Sequence, residues 1–196
     1  MLQNKNIAIF ASGNGSNAEN IIKYFENTTT GKVKTVLCNI PNAYVLMRAS
    51  NLNVPSTVFS RDEFYKSDKI IDILQLEKID LIVLAGFLWL VPENIIKQYL
   101  NKIINIHPAL LPNYGGRGMY GNNVHKAVIA DGNKESGITV HYVNEKYDDG
   151  DIIFQAKCKI SDTDTPETLA EKVHALEYEY FPKIIELILM KNSVNI

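Results

Sequence analysis

Apolar residues fall into two patterns along this chain. Short β-branched runs (NIAIFA at 6–11, VKTVLC at 33–38, DLIVLAGF at 80–87 and KIINIH at 102–107) alternate with segments of helical spacing at 17–27, 43–52, 62–77, 92–100 and 122–131. That alternation predicts a largely parallel sheet covered by helices. Pro92 suits the first turn of a helix. Past residue 135 the pattern changes: GITVHYV and DIIFQAKCKI are joined by the short NEKYDDG, which predicts paired antiparallel strands closing one edge. Thr165-Pro166-Glu167 then opens a helix with apolar positions at Leu169, Val173, Leu176 and Tyr180, and Pro182 is expected to kink or restart it. No repeat, low-complexity tract or linker interrupts the 196 residues. The expectation is a single α/β domain: a mostly parallel, Rossmann-like sheet with helices on both faces and antiparallel strands toward the C-terminal edge.

Within KIINIHPALLP, Asn105 and His107 interrupt a run otherwise built for burial. Residues two apart on a strand share a face, so the pair emerges together while Ile104 and Ile106 point the other way. Pro108 ends the strand at His107. Ligands of open α/β sheets bind beyond the carboxyl ends of the strands, which is where this pair falls. Taken alone, it reads equally as a loop cap beside a hydrogen-bonded core histidine.

Other segments should meet at the same sheet edge. FASGNGSNAENII runs from the first strand into a helix; Gly13 and Gly15 permit a tight turn, and Ser16, Asn17 and the helix amides offer donors to an anion. It matches no nucleotide fingerprint and is equally compatible with an ordinary capped turn. LAGFLWLVP, at 84–92, is either core or an apolar loop whose backbone holds a flat heterocycle. YGGRGMYG, at 114–121, carries four of the eleven glycines and is either a flap or a solvated connector. VNEKYDDGDI brings Asp148 and Asp149 into one turn; on composition two aspartates before a glycine read as a plain turn, whereas a carboxylate reaching His107 would raise its pKa and keep it cationic. His125, His141 and His174 form no metal spacing with His107, and His141 reads as structural.

Composition narrows the partners. Twenty basic against 22 acidic residues leave a net charge of -2, which gives no footprint for nucleic acid or an anionic membrane. The apolar run near the N-terminus is too short for a signal peptide or membrane span. Two distant cysteines, Cys38 and Cys158, argue against a disulfide framework or structural zinc and fit a reducing cytoplasm.

Taken in order, SGNGSN, LAGF, NIHPALLP, HKAV, GITVHYV and the Asp148–Gly150 turn resemble the phosphoribosylglycinamide formyltransferase family, folate-dependent enzymes of purine biosynthesis. The resemblance covers nearly the whole chain. It implies that Asn105 and His107 stabilise a tetrahedral intermediate and that Asp148 orients His107 and raises its pKa. Gly15, Ser16 and Asn17 would hold the ribose phosphate of glycinamide ribonucleotide, with further contacts from His174, standing where the family has glutamine, and Glu177. Arg61 would meet the folate's glutamate tail. Leu88, Trp89, Leu90 and Val91, with Asn105 and the stretch Asn144, Glu145, Lys146, Tyr147 and Asp148, would line the pterin pocket. Asp149 and Asp151 add acid around Asp148 that the family often lacks.

The resemblance further implies 10-formyltetrahydrofolate as co-substrate, no metal, a cytoplasmic monomer or homodimer, and one formyltransferase domain over 1–196, with a phosphate-binding half at about 1–100 and a folate-binding, catalytic half at about 101–196. Rival readings are a formyltetrahydrofolate deformylase, a formyltransferase for another phosphorylated amine, and a phosphosugar-binding module without chemistry. A methionyl-tRNA formyltransferase would carry an RNA-binding domain and a basic excess.

Overall fold

The computed structural model describes residues 4–191. Alternation along β1 (Lys5–Ala11) sorts its side chains onto two faces. Ile7, Ile9 and Ala11 enter one core with α1 (Ser16–Phe25), α2 (Tyr44–Asn51), α6 (Asn122–Ala130) and α7 (Pro166–Lys191). Ala8 and Phe10 enter a second with α3 (Arg61–Tyr65), α4 (Lys69–Leu76) and α5 (Glu93–Gln98). Strands buried on both sides read as the continuous apolar runs seen in the sequence.

The sheet has seven strands in the order β3-β2-β1-β4-β5-β6-β7, where β2 is Gly31–Cys38, β3 Ser56–Val58, β4 Leu81–Leu84, β5 Ile103–His107, β6 Glu135–Tyr142 and β7 Ile152–Lys159. The first five strands pair in parallel, and β6 and β7 are antiparallel. Strand order reverses between β1 and β4, and a crevice opens at such a switch point beyond the carboxyl ends. Two hydrogen bonds join the loops there: the Ser12 amide donates to the Gly86 carbonyl (3.0 Å), and the Leu88 amide donates to Ser12 Oγ (3.0 Å).

Two expectations need correction, and one strand was not foreseen. The segment 62–77 forms two helices rather than one: Ser60 and Glu63 make a reciprocal capping box for α3, and Ser67 Oγ donates to the Glu63 carbonyl (2.9 Å), an alternative to continued helix. The three-residue β3 is too short to announce itself and is fixed only by pairing with β2. Pro182 does not restart the last helix: α7 continues through it, with Phe181, Pro182 and Ile185 all buried, so tertiary packing outweighs the lost backbone bond.

The turn after β5 is held from β6. Thr139 Oγ1 donates to the Ala109 carbonyl (2.7 Å) and accepts from the Leu111 amide (2.9 Å) and from Gln155 Nε2 (2.9 Å). Thr139 is fully buried, so its loss leaves backbone groups without partners. Thr139→Val is expected to lower the unfolding free energy by about 1–3 kcal/mol in urea titration; an unchanged midpoint would remove the residue from this role.

Candidate functional site

A cavity of about 670 Å³ opens at the switch point. Its walls come from Ser12–Asn17 after β1, Ala85–Leu88 after β4, Asn105–Pro108 at the end of β5, residues 116–121, and Tyr147, Asp148, His174 and Glu177. The glycine-rich segment thus lies on the wall rather than apart from it.

At one part of the cavity, α1 begins. Gly15 is its N-cap at φ +76° and supplies no side-chain bond, so the first-turn amides lack intrahelical partners and are available to an anion. A Cβ on Gly15 would lie 2.4 Å from Val45 Cβ, so only glycine fits between this loop and α2. Arg48 braces the loop from behind: its Nε donates to the Asn14 carbonyl (3.0 Å), its Nη2 to Asn14 Oδ1 (2.7 Å), and it pairs with Glu19. Asn17 Nδ2 donates to Glu177 Oε2 (2.9 Å). Burial pushes the Glu177 carboxyl up, against the Asn17 hydrogen bond and the charge of His174.

Elsewhere in the cavity, the antiparallel register sets Asn105 opposite His141 and His107 opposite Thr139. His141 Nδ1 donates to the Tyr142 carbonyl (2.8 Å), which leaves Nε2 to accept from Asn105 Nδ2 (3.1 Å). Asn105 Nδ2 also reaches Asp148 Oδ1 at 3.4 Å, a long contact whose hydrogen is easily redirected. His107 Nε2 donates to the Tyr114 carbonyl (2.7 Å), so in the neutral ring Nδ1 is bare; it lies 3.6 Å from Asp148 Oδ2. Asp148 sits at φ +53°, a conformation Asp tolerates better than most residues, and accepts from the Gly116 amide (2.9 Å). A Cβ on Gly150 would fall 1.8 Å from the Tyr142 carbonyl oxygen, which fixes glycine at the end of this turn.

Asp148 pulls the His107 pKa upward, the direction expected, yet the net direction is down. Burial lowers it, and the opposing pull of Asp148 and of the Tyr114 carbonyl does not compensate. Burial works on Asp148 in the opposite direction, upward, but His141, His107 and the Gly116 amide outweigh it and hold its carboxyl below the ordinary value.

Of the residues singled out in the sequence, Asn105, His107, Asp148, Gly15, Ser16, Asn17, His174, Glu177, Leu88 and Tyr147 share this cavity. The acidic turn resolves in favour of Asp148: Asp149 faces Asn144 and Lys146 at the exposed side. Arg61, Trp89, Leu90, Val91, Asn144, Glu145 and Lys146 lie off the cavity wall. The Arg61 guanidinium stacks over the rings of Tyr65 (4.9 Å) and Trp89 (5.5 Å), the Leu90 carbonyl accepts from Tyr65 (2.8 Å), and Val91 is core. Sequence reasoning gave no role to two histidines: His141, which behaves as the structural residue expected and holds the Asn105 amide from the neighbouring strand, and His125, which opens the HKAV motif and lines the cavity. Among the described residues, no group of three or more His, Cys, Asp or Glu is placed to hold a metal ion, and no helix is long and apolar enough to cross a membrane.

The family described as formyl transferase matches residues 5–185. Phosphoribosylglycinamide formyltransferase of Bacillus subtilis is 37% identical over 194 residues, covering 96% of this chain and 97% of the relative. The chloroplastic protein of that name from Arabidopsis thaliana is 36% identical over 92% of this chain, which spans 64% of that relative's length. Two solved structures superpose closely. The phosphoribosylglycinamide formyltransferase of Anaplasma phagocytophilum has a TM-score of 0.87 at 33% identity, covering 96% of this chain and 88% of that one. Glycinamide ribonucleotide transformylase 1 of Geobacillus kaustophilus has a TM-score of 0.85 at 34% identity, covering 94% and 98%.

Histidine-selective NMR across pH tests the electrostatics. His107 should titrate below the ordinary 6.5. Because a carboxylate favours the imidazolium, Asp148→Asn should move that midpoint further down. An unchanged or higher midpoint in the variant would contradict the assigned coupling.

Proposed function

The chain belongs to the formyl transferase family, and from that premise we propose that it moves the formyl group of 10-formyltetrahydrofolate to the amine of glycinamide ribonucleotide, giving formylglycinamide ribonucleotide and tetrahydrofolate in purine biosynthesis. The observation that carries this reading is a single cavity holding both an anion-binding helix start and the Asn105, His107 and Asp148 constellation. The phosphate is taken by the amides around Gly15, Ser16 and Asn17, with His174 and Glu177 alongside. The folate approaches over Leu88 and Tyr147, while Arg61, stacked on Trp89, stands ready for its glutamate tail.

The chemistry follows from the protons. The neutral amine attacks the formyl carbon, and the carbonyl π electrons move to oxygen, leaving an oxyanion and a cationic nitrogen. His107 Nδ1, bare and turned to Asp148, takes a proton from that nitrogen. The imidazolium so formed faces Asp148 through Nδ1 and keeps Nε2 on the Tyr114 carbonyl, and the nearby carboxylate and oxyanion both favour its charge. Asn105 turns its weakly held amide hydrogen from Asp148 to the oxyanion, while His141 keeps the amide in place. When the bond from carbon to N10 breaks, His107 returns its proton to N10 and is neutral again. In this route His107 acts first as a base, where the expectation from the sequence is a cation. This route is written without a metal.

The reading takes residues 1–196 as one formyltransferase domain; what supports it is one sheet whose loops from both halves line one cavity. Two free thiols, Cys38 and Cys158, suit a reducing cytoplasm.

Absorbance-monitored release of tetrahydrofolate from the 10-formyl cofactor, with and without glycinamide ribonucleotide, tests the reading. Release should require the ribonucleotide, and Asn105→Ala or His107→Ala should each lower kcat by about a hundredfold or more. Release without any amine would mean a deformylase, and binding without release a module that has lost the chemistry. The acid limb of kcat should follow His107. Asp148→Asn should displace that limb to lower pH and reduce the plateau, since a less basic imidazole is a poorer proton acceptor.

A further inference from the structure

One histidine of the cavity takes no part in the scheme above. His125 lies in the first turn of α6, whose Val124 and Val128 are buried in the core and hold the helix in place. The side chain is almost fully buried, at 2% exposure, yet it lines the cavity. Its Nδ1 makes no hydrogen bond. A buried imidazole nitrogen without a partner is costly, and such groups usually find their partner in water or a ligand. Asn17 Oδ1, on the same cavity wall, is in the same condition.

The electrostatics define what would satisfy it. Burial, and then the charges of His174 and His107, push His125 down to about 4, so the ring is neutral near pH 7. A neutral imidazole carries one N–H and one lone pair and holds no charge for a phosphate. A hydroxyl, which both donates and accepts, satisfies either tautomer.

Position defines which hydroxyl. His125 feels both His174, on the side of the anion-binding loop, and His107, on the side of the reacting carbon. Resting on the function proposed above, the part of the amine substrate between its phosphate and its amine is the ribose. We propose that His125 is a substrate-positioning residue that hydrogen-bonds a ribose hydroxyl of the phosphorylated amine through Nδ1, fixing the sugar so that the amine reaches the formyl carbon.

A cycle between protein and substrate tests this. Calorimetric affinities of glycinamide ribonucleotide, and of an analogue lacking both ribose hydroxyls, are measured without folate for the wild-type protein and for His125→Phe and His125→Asn. Each single change should cost roughly tenfold in affinity, and the analogue should lose little more in His125→Phe. His125→Asn, whose amide stands near the position of Nδ1, should recover part of the loss. Fully additive losses would overturn the assignment.

Nitrogen NMR of selectively labelled wild-type histidine asks the same question without a substitution. The His125 Nδ1 resonance should move with the ribonucleotide and not with the analogue; movement with both, or with neither, would count against it. Because binding is read without turnover, the two proposals fail separately. Coupled losses without any formyl transfer would sink the transferase reading alone. Transfer with additive losses would sink the role of His125 alone, and no binding of the ribonucleotide by wild type would sink both.

Discussion

Asn105 faces His141, and His107 faces Thr139, because β5 pairs with β6 in one antiparallel register. The other edge of β5 pairs in parallel with β4, which brings the cavity loop after β4 alongside. This strand is thus where the two pairing modes meet. A slip of one residue would turn the Asn105 and His107 side chains into the core and take the Ile104 and Ile106 side chains out of it. The apolar pattern forbids that slip, since Ile104 and Ile106 are buried in the core that also takes α6 and α7. The hydrophobic pattern of five residues therefore aims the polar pair, and β6 supplies the groups that hold it: His141 for the amide and Thr139 for the turn beyond.

Burial then competes with charge. A histidine placed at the end of a core strand is desolvated, and desolvation favours the neutral ring. Asp148 opposes this from 3.6 Å without a shared proton in the resting arrangement. Burial outweighs the carboxylate, and the His107 pKa lies below its ordinary value. The backbone of the glycine-rich segment is part of the same balance, through the Tyr114 carbonyl and the Gly116 amide.

Much of this was legible in the sequence where the signal was local or periodic. Strands buried on both faces announce themselves as β-branched runs, and the Asn105/His107 spacing reads directly as a shared face. The turn at Asp148 was visible as composition, but its approach to His107 depends on contacts 41 residues apart in sequence, and only the motif order pointed to it. What stayed hidden was tertiary. The break between α3 and α4 arises from competing serine bonds, and continuation through Pro182 arises from packing. The direction of the His107 shift depends on how deeply the strand end is buried. His125 opens the HKAV motif, but the motif assigned it no role; only its burial without a partner at Nδ1 does so.

The hydrogen bond from Asn17 to Glu177 joins residues 160 positions apart, tying the first helix to the last. Synthesis proceeds from the N-terminus, so the loop after β1 leaves the ribosome long before the helix that completes its surroundings. Until α7 docks, the cavity lacks the wall that carries His174 and Glu177, and Asn17 lacks its carboxylate. The cavity is thus completed late in the life of the nascent chain, and a chain that stalls before α7 holds most of the sheet with that wall missing.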